Sequence, residues 1–104
     1  MPILRDYRGR EIRFTEERLA HTFEHPELRE LESSVLETVG KPDVVVRSRT
    51  DSEVHLYYRL YNHRRLGEKY MCVVVKHTAT DSFVITAYLT DRVKAGERLW
   101  PESS

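Results

Sequence analysis

The chain has 104 residues, of which 39% are apolar and 33% are charged, and this predicts one soluble domain spanning residues 1–104. Lys and Arg number 17, as do Asp and Glu, so the net charge of zero does not by itself favour nucleic acid as a partner. The single cysteine, Cys72, excludes an internal disulfide and a thiolate zinc site, and no apolar run approaches the roughly 18 residues of a membrane span. Because the N-terminus lacks an apolar signal core, we expect a cytoplasmic protein with no membrane partner.

The first part of the chain predicts two helices. Residues 10–14 alternate polar and apolar side chains, which indicates a short edge strand or an extended lead-in. Thr15 is typical of the N-cap of a first helix, which Pro26 interrupts. Pro26 also suits the first turn of a second helix, whose apolar residues follow helical spacing until Gly40.

The rest of the chain predicts strands separated by short turns, at Val44–Arg49, Val54–Leu60, Lys69–His77 and Phe83–Thr90. Connections this short permit only antiparallel pairing of neighbouring strands. We therefore expect an α+β fold in which two N-terminal helices pack on one face of a four-stranded antiparallel meander sheet. A short turn or helix at Asp91–Ala95 should follow, with the core at about residues 12–100 and a frayed tail at 101–104.

Basic residues concentrate in the middle of the chain, where residues 41–77 hold eight Lys or Arg against four Asp or Glu. Lys76 and His77 end the central strand and can reach an open sheet face from its rim. Cations and aromatic rings on such a face suit a phosphodiester and a base, although an exposed antiparallel face can also be merely polar. If Val54, Leu56, Ile85, Ala87 and Leu89 face the helices, the open face collects Arg47, Arg49, His55, Tyr57, Arg59, Thr86 and Tyr88.

Two histidines in the predicted helical region, His21 and His25, are candidates for proton transfer, because histidine titrates near neutral pH. Their spacing of four would place them on one helix face and can bind a metal ion. No matching third ligand stands nearby, so we expect no metal and no cofactor. His25 can instead cap a helix, and either residue can simply be exposed at the surface.

Four stretches of the chain resemble a known family. They are His21-Thr-Phe-Glu-His-Pro-Glu-Leu28, Leu36-Glu-Thr-Val-Gly-Lys-Pro-Asp43, Tyr70-Met-Cys-Val-Val-Val-Lys76 and Phe83-Val-Ile-Thr-Ala-Tyr-Leu-Thr90. Together they are similar to the phage-associated barnase–EndoU–colicin–RelE-like nuclease domains, over roughly residues 12–100. The order of two helices and a four-stranded meander agrees with that fold.

The resemblance implies a metal-independent endoribonuclease of toxin or effector type, held in check by an antitoxin or immunity protein. Such enzymes direct the ribose 2′-OH at the adjacent phosphorus and leave a 2′,3′-cyclic phosphate. Carried onto this chain, His21 and His25 would transfer protons, and Arg59 and Lys76 would stabilise the charge of the transition state. Thr86 would position the phosphate. Binding of the RNA would fall to Arg47, Arg49, His55, Tyr57 and Tyr88.

Two other functions stay open at this point. One is a non-catalytic module that binds RNA or a protein through the same face. The other is a homodimeric structural domain with Tyr57, Tyr88 and Trp100 as anchors. Convergence of Arg59, Lys76, Thr86 and one histidine within about 8 Å of one point would favour the enzyme.

Overall fold

A computed structural model describes residues 3–14, 32–63, 65 and 67–101 of the chain. Within these residues there is one helix, and it is not long and apolar enough to cross a membrane. Seven strands form a single sheet in the order β1-β2-β6-β5-β4-β3-β7. Neighbours are antiparallel except β2 and β6, which run parallel. The elements are β1 (Ile3–Arg5), β2 (Glu11–Arg13), α1 (Glu32–Gly40), β3 (Val44–Arg47), β4 (Val54–His63), β5 (Gly67–His77), β6 (Ser82–Thr90) and β7 (Glu97–Trp100).

The three long strands β4, β5 and β6 form the middle of the sheet because they are rich in β-branched and aromatic residues and end at strong turn signals. Between β3 and β4, Asp51 accepts a bond from the Val54 backbone N–H through its carbonyl and one from the Glu53 N–H through its carboxylate, both 3.0 Å long. Pairing between β4 and β5 continues up to His63 and Gly67. Both strands therefore extend further toward each other than the predicted Val54–Leu60 and Lys69–His77.

One face of the sheet, called the inner face, packs against α1. Val35 and Val39, four residues apart, present one apolar stripe of the helix, and both are fully buried with Tyr57 and Val73 of the sheet. Burying each such side chain contributes about 1.5–3 kcal/mol. The helix therefore fixes which side of β4 and β5 forms the main core.

The opposite face, called the outer face, is covered in part by residues 91–96. Val93 packs against the cluster of Val46, Leu56, Tyr58 and Cys72 on this face, and the Lys94 N–H donates a 3.1 Å bond to the Tyr58 hydroxyl. Residues on both faces of β4 are consequently buried.

The sheet curls strongly toward its inner face. Tyr7, in the turn between β1 and β2, has its ring centroid 5.3 Å from that of Trp100 in β7, although these strands stand at opposite ends of the sheet order. This curl brings the β1–β2 turn, the end of α1 and β7 together at one end of the molecule.

The predicted fold class is wrong, because the described residues hold one helix and a seven-stranded mixed sheet instead of two helices on a four-stranded antiparallel sheet. The four predicted strands do occur, as the central part of the larger sheet, and they are antiparallel. The second predicted helix exists from Glu32 to Gly40, and the first lies outside the described residues. Of the predicted turn or helix at Asp91–Ala95, the helix is absent and the chain bends there instead, and β7 follows.

The predicted assignment of sheet faces is wrong for β4. Tyr57 pairs with Val73, which pairs with Ala87, so all three share the inner face, whereas Leu56 lies on the outer face. Val54, Leu56 and Tyr58 of β4 belong to the cluster beneath residues 91–96, a cover that the alternation pattern does not reveal. Ala87 and Leu89 do face the helix side, as predicted.

Candidate functional site

The turn between β1 and β2 is built around Asp6. Its backbone N–H bonds the Arg10 carbonyl at 3.0 Å, and its own carbonyl accepts the Gly9 N–H at 2.9 Å. Gly9 has a φ of 82°, a conformation that favours glycine. The Asp6 carboxylate accepts the backbone N–H groups of Arg8 and Arg10 at 3.0 and 2.9 Å. One acidic side chain thus fixes the position of Tyr7 and Arg8 within the turn.

Tyr57 ties this turn to the middle of the sheet. Its hydroxyl donates a 2.8 Å bond to Asp6 Oδ2, which also accepts a 2.8 Å bond from Arg10 Nε. Burial alone would raise the pKa of the Asp6 carboxyl, but the Arg10 amide, the Tyr57 hydroxyl and the Arg10 charge outweigh it and hold the pKa below 3.8. Burial and the neighbouring carboxylate raise the pKa of Tyr57. Asp6 is therefore ionised and Tyr57 protonated at neutral pH.

Two histidines continue this network along the inner face. His77 Nε2 lies 2.9 Å from the Tyr57 hydroxyl, and His77 Nδ1 lies 2.8 Å from Ser82 Oγ. The His55 ring centroid is 4.5 Å from that of His77. Burial first, then the charge of His77, lowers the pKa of His55 to about 4, and burial together with the Arg10 charge lowers the pKa of His77 to about 4. Both rings are neutral at pH 7.

A cleft of about 700 Å³ opens beside this network, at the end of the molecule where the curled sheet brings its two edges together. Tyr7 forms an edge-to-face contact with Tyr57 at 6.0 Å and so connects the cleft to the buried network. None of the described residues that line the cleft is acidic. They are Tyr7, Arg8, Gly40, Lys41, Pro42, Arg59 and Trp100.

The cations of the cleft differ in how far they are already neutralised. Arg59 donates a 2.6 Å bond to the Lys41 carbonyl and forms a 3.0 Å ion pair with Glu37 of α1. The Arg8 guanidinium lies over the Tyr7 ring at 5.5 Å. Lys41 is exposed and forms no ion pair within the described part of the chain. We therefore expect Lys41 to contribute most to attraction of an anion.

The structure places the predicted residues of the inner face in separate environments. Arg59 lines the cleft, whereas Tyr57 is fully buried and His55 is 7% exposed. Arg47 forms a 2.7 Å ion pair with Glu97 of β7. Arg49 follows β3 and is exposed.

The remaining predicted residues lie on the outer face or outside the described residues. Lys76 pairs in register with Val54 and forms a 3.2 Å ion pair with Asp51, away from the cleft. Thr86 and Tyr88 are register partners of Val74 and Cys72 on the same outer face. His21 and His25 lie outside the described residues. Arg59 therefore lies on the inner face and Lys76 and Thr86 on the outer face, so the condition that would favour the enzyme is not met by these three residues.

Sequence reasoning missed Asp6, Arg10, Tyr7, Arg8 and Lys41. The run Asp6-Tyr-Arg-Gly9 carried a usable signal, because aspartate followed by glycine three positions later is typical of a turn. The bond from Tyr57 to Asp6 spans 51 positions in the chain and had no sequence signal.

Comparison with protein families, with characterised proteins and with solved structures found no match. The described residues contain no group of three or more His, Cys, Asp or Glu side chains that could hold a metal ion.

Proposed function

We propose that the cleft binds single-stranded RNA, with its cations at the phosphates and its rings stacked on an unpaired base. The observation that carries this proposal is the lining of the cleft, in which two aromatic rings 5.3 Å apart stand beside three cations. Aromatic platforms beside basic side chains are the usual means by which proteins bind single strands. The volume of about 700 Å³ lies within the range of small-molecule sites, which is enough for an extruded base and its phosphates.

An unpaired strand is favoured over a duplex for a geometric reason. The rings of Tyr7 and Trp100 lie within a concave site, and a base can stack on them only after leaving a helix. Stacking on an aromatic side chain contributes about 1–3 kcal/mol per base. Trp100 is 37% exposed and is the anchor whose removal should cost most.

The electrostatic contribution should be small and local, since the chain as a whole carries no net charge. Arg59 is partly neutralised by Glu37, so we expect the main phosphate contact to be made by Lys41. For single strands this predicts a slope of about −0.7 in a plot of log affinity against log salt concentration.

The experiment is a titration of the full chain with a fluorescently labelled mixed-sequence single-stranded RNA, read by anisotropy in excess EDTA. Replacing Trp100 by Ala should weaken binding about 5- to 150-fold. Lys41→Ala should weaken it and make the salt slope less steep by about 0.7. Lys94→Ala is the matched control, since Lys94 is also exposed but belongs to the segment that covers the outer face.

Two results would contradict the proposal. The first is equal affinity for the labelled strand and for its RNA duplex. The second is an equal effect of Lys41→Ala and Lys94→Ala, since then only net charge would matter. A DNA strand of the same sequence tests whether the 2′-OH is recognised.

The endoribonuclease activity stays a prediction, because its proposed proton-transfer residues His21 and His25 lie outside the described residues. The same incubations test it when the RNA ends are analysed for 2′,3′-cyclic phosphate in wild type, His21→Ala and Lys76→Ala. Cleavage that His21→Ala abolishes would add catalysis to binding. If the RNA stays intact in every sample, the endoribonuclease prediction fails and RNA binding without cleavage remains. An antitoxin partner and a homodimer also stay predictions, although the fully buried Tyr57 cannot anchor a dimer.

A further inference from the structure

A serine and a histidine are in contact beside the turn of the β5–β6 hairpin, outside the lining of the cleft. His77 ends β5, Ser82 begins β6, and the two are register partners. Ser82 Oγ lies 2.8 Å from His77 Nδ1, and both side chains are half-buried, so solvent reaches them. A hydroxyl within hydrogen-bond distance of an imidazole nitrogen is the arrangement of an activated nucleophile and its base.

The direction of each hydrogen bond follows from Asp6. Its ionised carboxylate can only accept, so the Tyr57 hydroxyl must donate to it across 2.8 Å. The Tyr57 oxygen then accepts from its two other neighbours, Arg10 Nη2 at 3.3 Å and His77 Nε2 at 2.9 Å. His77 therefore carries its proton on Nε2, and its bare Nδ1 accepts the proton of Ser82.

We infer that Ser82 is a nucleophile for acyl transfer, that His77 is its general base, and that Tyr57 and Asp6 are positioning residues that hold the imidazole tautomer. The substrate class is a carboxylic ester with a good leaving group. Ser82 Oγ forms a bond to the acyl carbon while its proton moves to His77 Nδ1, and the bond between the acyl carbon and the leaving oxygen breaks. The leaving group departs with this oxygen as an anion, or it receives the proton from His77 and departs as the neutral alcohol.

The charge state of His77 agrees with this role. Burial and the Arg10 charge lower the pKa of His77, so its Nδ1 lone pair is available at neutral pH. The third group that orients the base is present as well, since Tyr57 is fully buried and bonded to Asp6. The buried Tyr57 thus orients the imidazole on one side, and solvent reaches the pair on the other.

The turn beside Ser82 limits the rate that this pair can reach. Among the described residues of this turn, the backbone N–H groups of Thr78, Asp81 and Ser82 already donate to Asp81 O, Thr78 Oγ1 and Asp81 Oδ1. They are not free to stabilise an oxyanion, and loss of one such donor typically slows catalysis about 10²- to 10³-fold. Formation and hydrolysis of the acyl-enzyme both pass through a tetrahedral oxyanion, so we expect both steps to be slow and labelling to require an activated ester or phosphonate.

The test is labelling of the full chain by a fluorophosphonate probe and by p-nitrophenyl acetate at pH 7.5, read by intact mass and peptide mapping. We expect one adduct at Ser82 and a labelling rate at least about 10-fold lower in His77→Gln, which cannot take the proton. Ser48 is the internal control, because its hydroxyl lies 3.0 Å from that of Thr50 and no histidine of the described residues bonds it. Absence of an adduct at Ser82, or equal labelling of His77→Gln, would overturn the inference.

A second measurement separates positioning from mere structure. Long-range ¹⁵N–¹H spectra of histidine-labelled protein should show the His77 proton on Nε2 in the wild type. Tyr57→Phe should give mixed tautomers and slower labelling of Ser82 while circular dichroism stays unchanged. A wild-type proton on Nδ1 would overturn the inference, because Ser82 would then accept rather than donate.

Discussion

The His55–His77 pair predicts that the folded state loses stability in mild acid. An unfolded histidine titrates near 6.5, whereas burial lowers the pKa of His55 to about 4 in the folded state. Between these values the unfolded chain binds more protons, so the free energy of unfolding falls as the pH drops below 6.5. The stabilisation is fully present above that pH and decreases progressively toward pH 4.

The magnitude follows from the size of the shift. A shift from 6.5 to about 4 corresponds to about 3 kcal/mol at complete titration, and about 2 kcal/mol of this is already lost at pH 5. His55 is 7% exposed, so solvent screens this effect little. His77 adds a smaller loss in the same direction, because it is more exposed.

The perturbation that isolates this effect is His55→Phe, which keeps an aromatic ring and removes the titrating group. Among the described residues His55 Nδ1 is buried and has no hydrogen-bond partner, so the replacement removes no bond to that atom. Urea unfolding of wild type and variant at pH 7.5 and pH 5, followed by the fluorescence of Trp100, should show a smaller acid loss in the variant by about 2 kcal/mol. Carboxylates contribute equally to both proteins and cancel. Equal acid losses would refute the assignment of a buried neutral His55.

Three further predictions follow from the fold. Gly96→Ala should destabilise the protein by about 1–3 kcal/mol in urea unfolding, because the new Cβ would lie 2.5 Å from the Arg47 carbonyl oxygen. Gly40→Ala is its control and should be as stable as wild type, because its nearest contact is at 3.8 Å. Tyr58→Phe should cost about 1 kcal/mol and speed hydrogen exchange of the Lys94 amide, and unchanged exchange would contradict the contact. Asp6→Asn should destabilise by about 1–3 kcal/mol in thermal unfolding at pH 7, since the Asp6 carboxylate accepts four hydrogen bonds; a melting temperature equal to wild type would contradict its role in the turn.

The central strands could be predicted because their signals are local. Each has β-branched or aromatic residues between turn residues, and Asp51 and Asp81 both form hydrogen bonds within the turns they mark. The two edge strands β1 and β7 could not, since three or four residues such as Ile3–Arg5 and Glu97–Trp100 are too short to show a period.

The candidate site could be predicted only in its residue types. Basic and aromatic residues do form it, but they come from the β1–β2 turn, the end of α1, β4 and β7, and the curl of the sheet alone brings Tyr7 to Trp100. Alternation in β4 predicted that Tyr57 lies on the open face, because it shares its side of the strand with the polar residues His55 and Arg59. Its hydroxyl is instead satisfied by Asp6, a partner that no local pattern indicates.

The parallel pairing of β2 with β6 has a consequence for how the chain reaches this fold. Arg13 of β2 also forms a salt bridge with Asp81, 68 positions later, so the N-terminal strands can find their place only after the hairpin of β5 and β6 exists. Closing so long a loop costs conformational entropy before the strand pairing that offsets this cost has formed. During synthesis β1 and β2 therefore stay unpaired with the sheet until β6 has left the ribosome. The central hairpins can form earlier and serve as the template on which both ends of the chain are finally added.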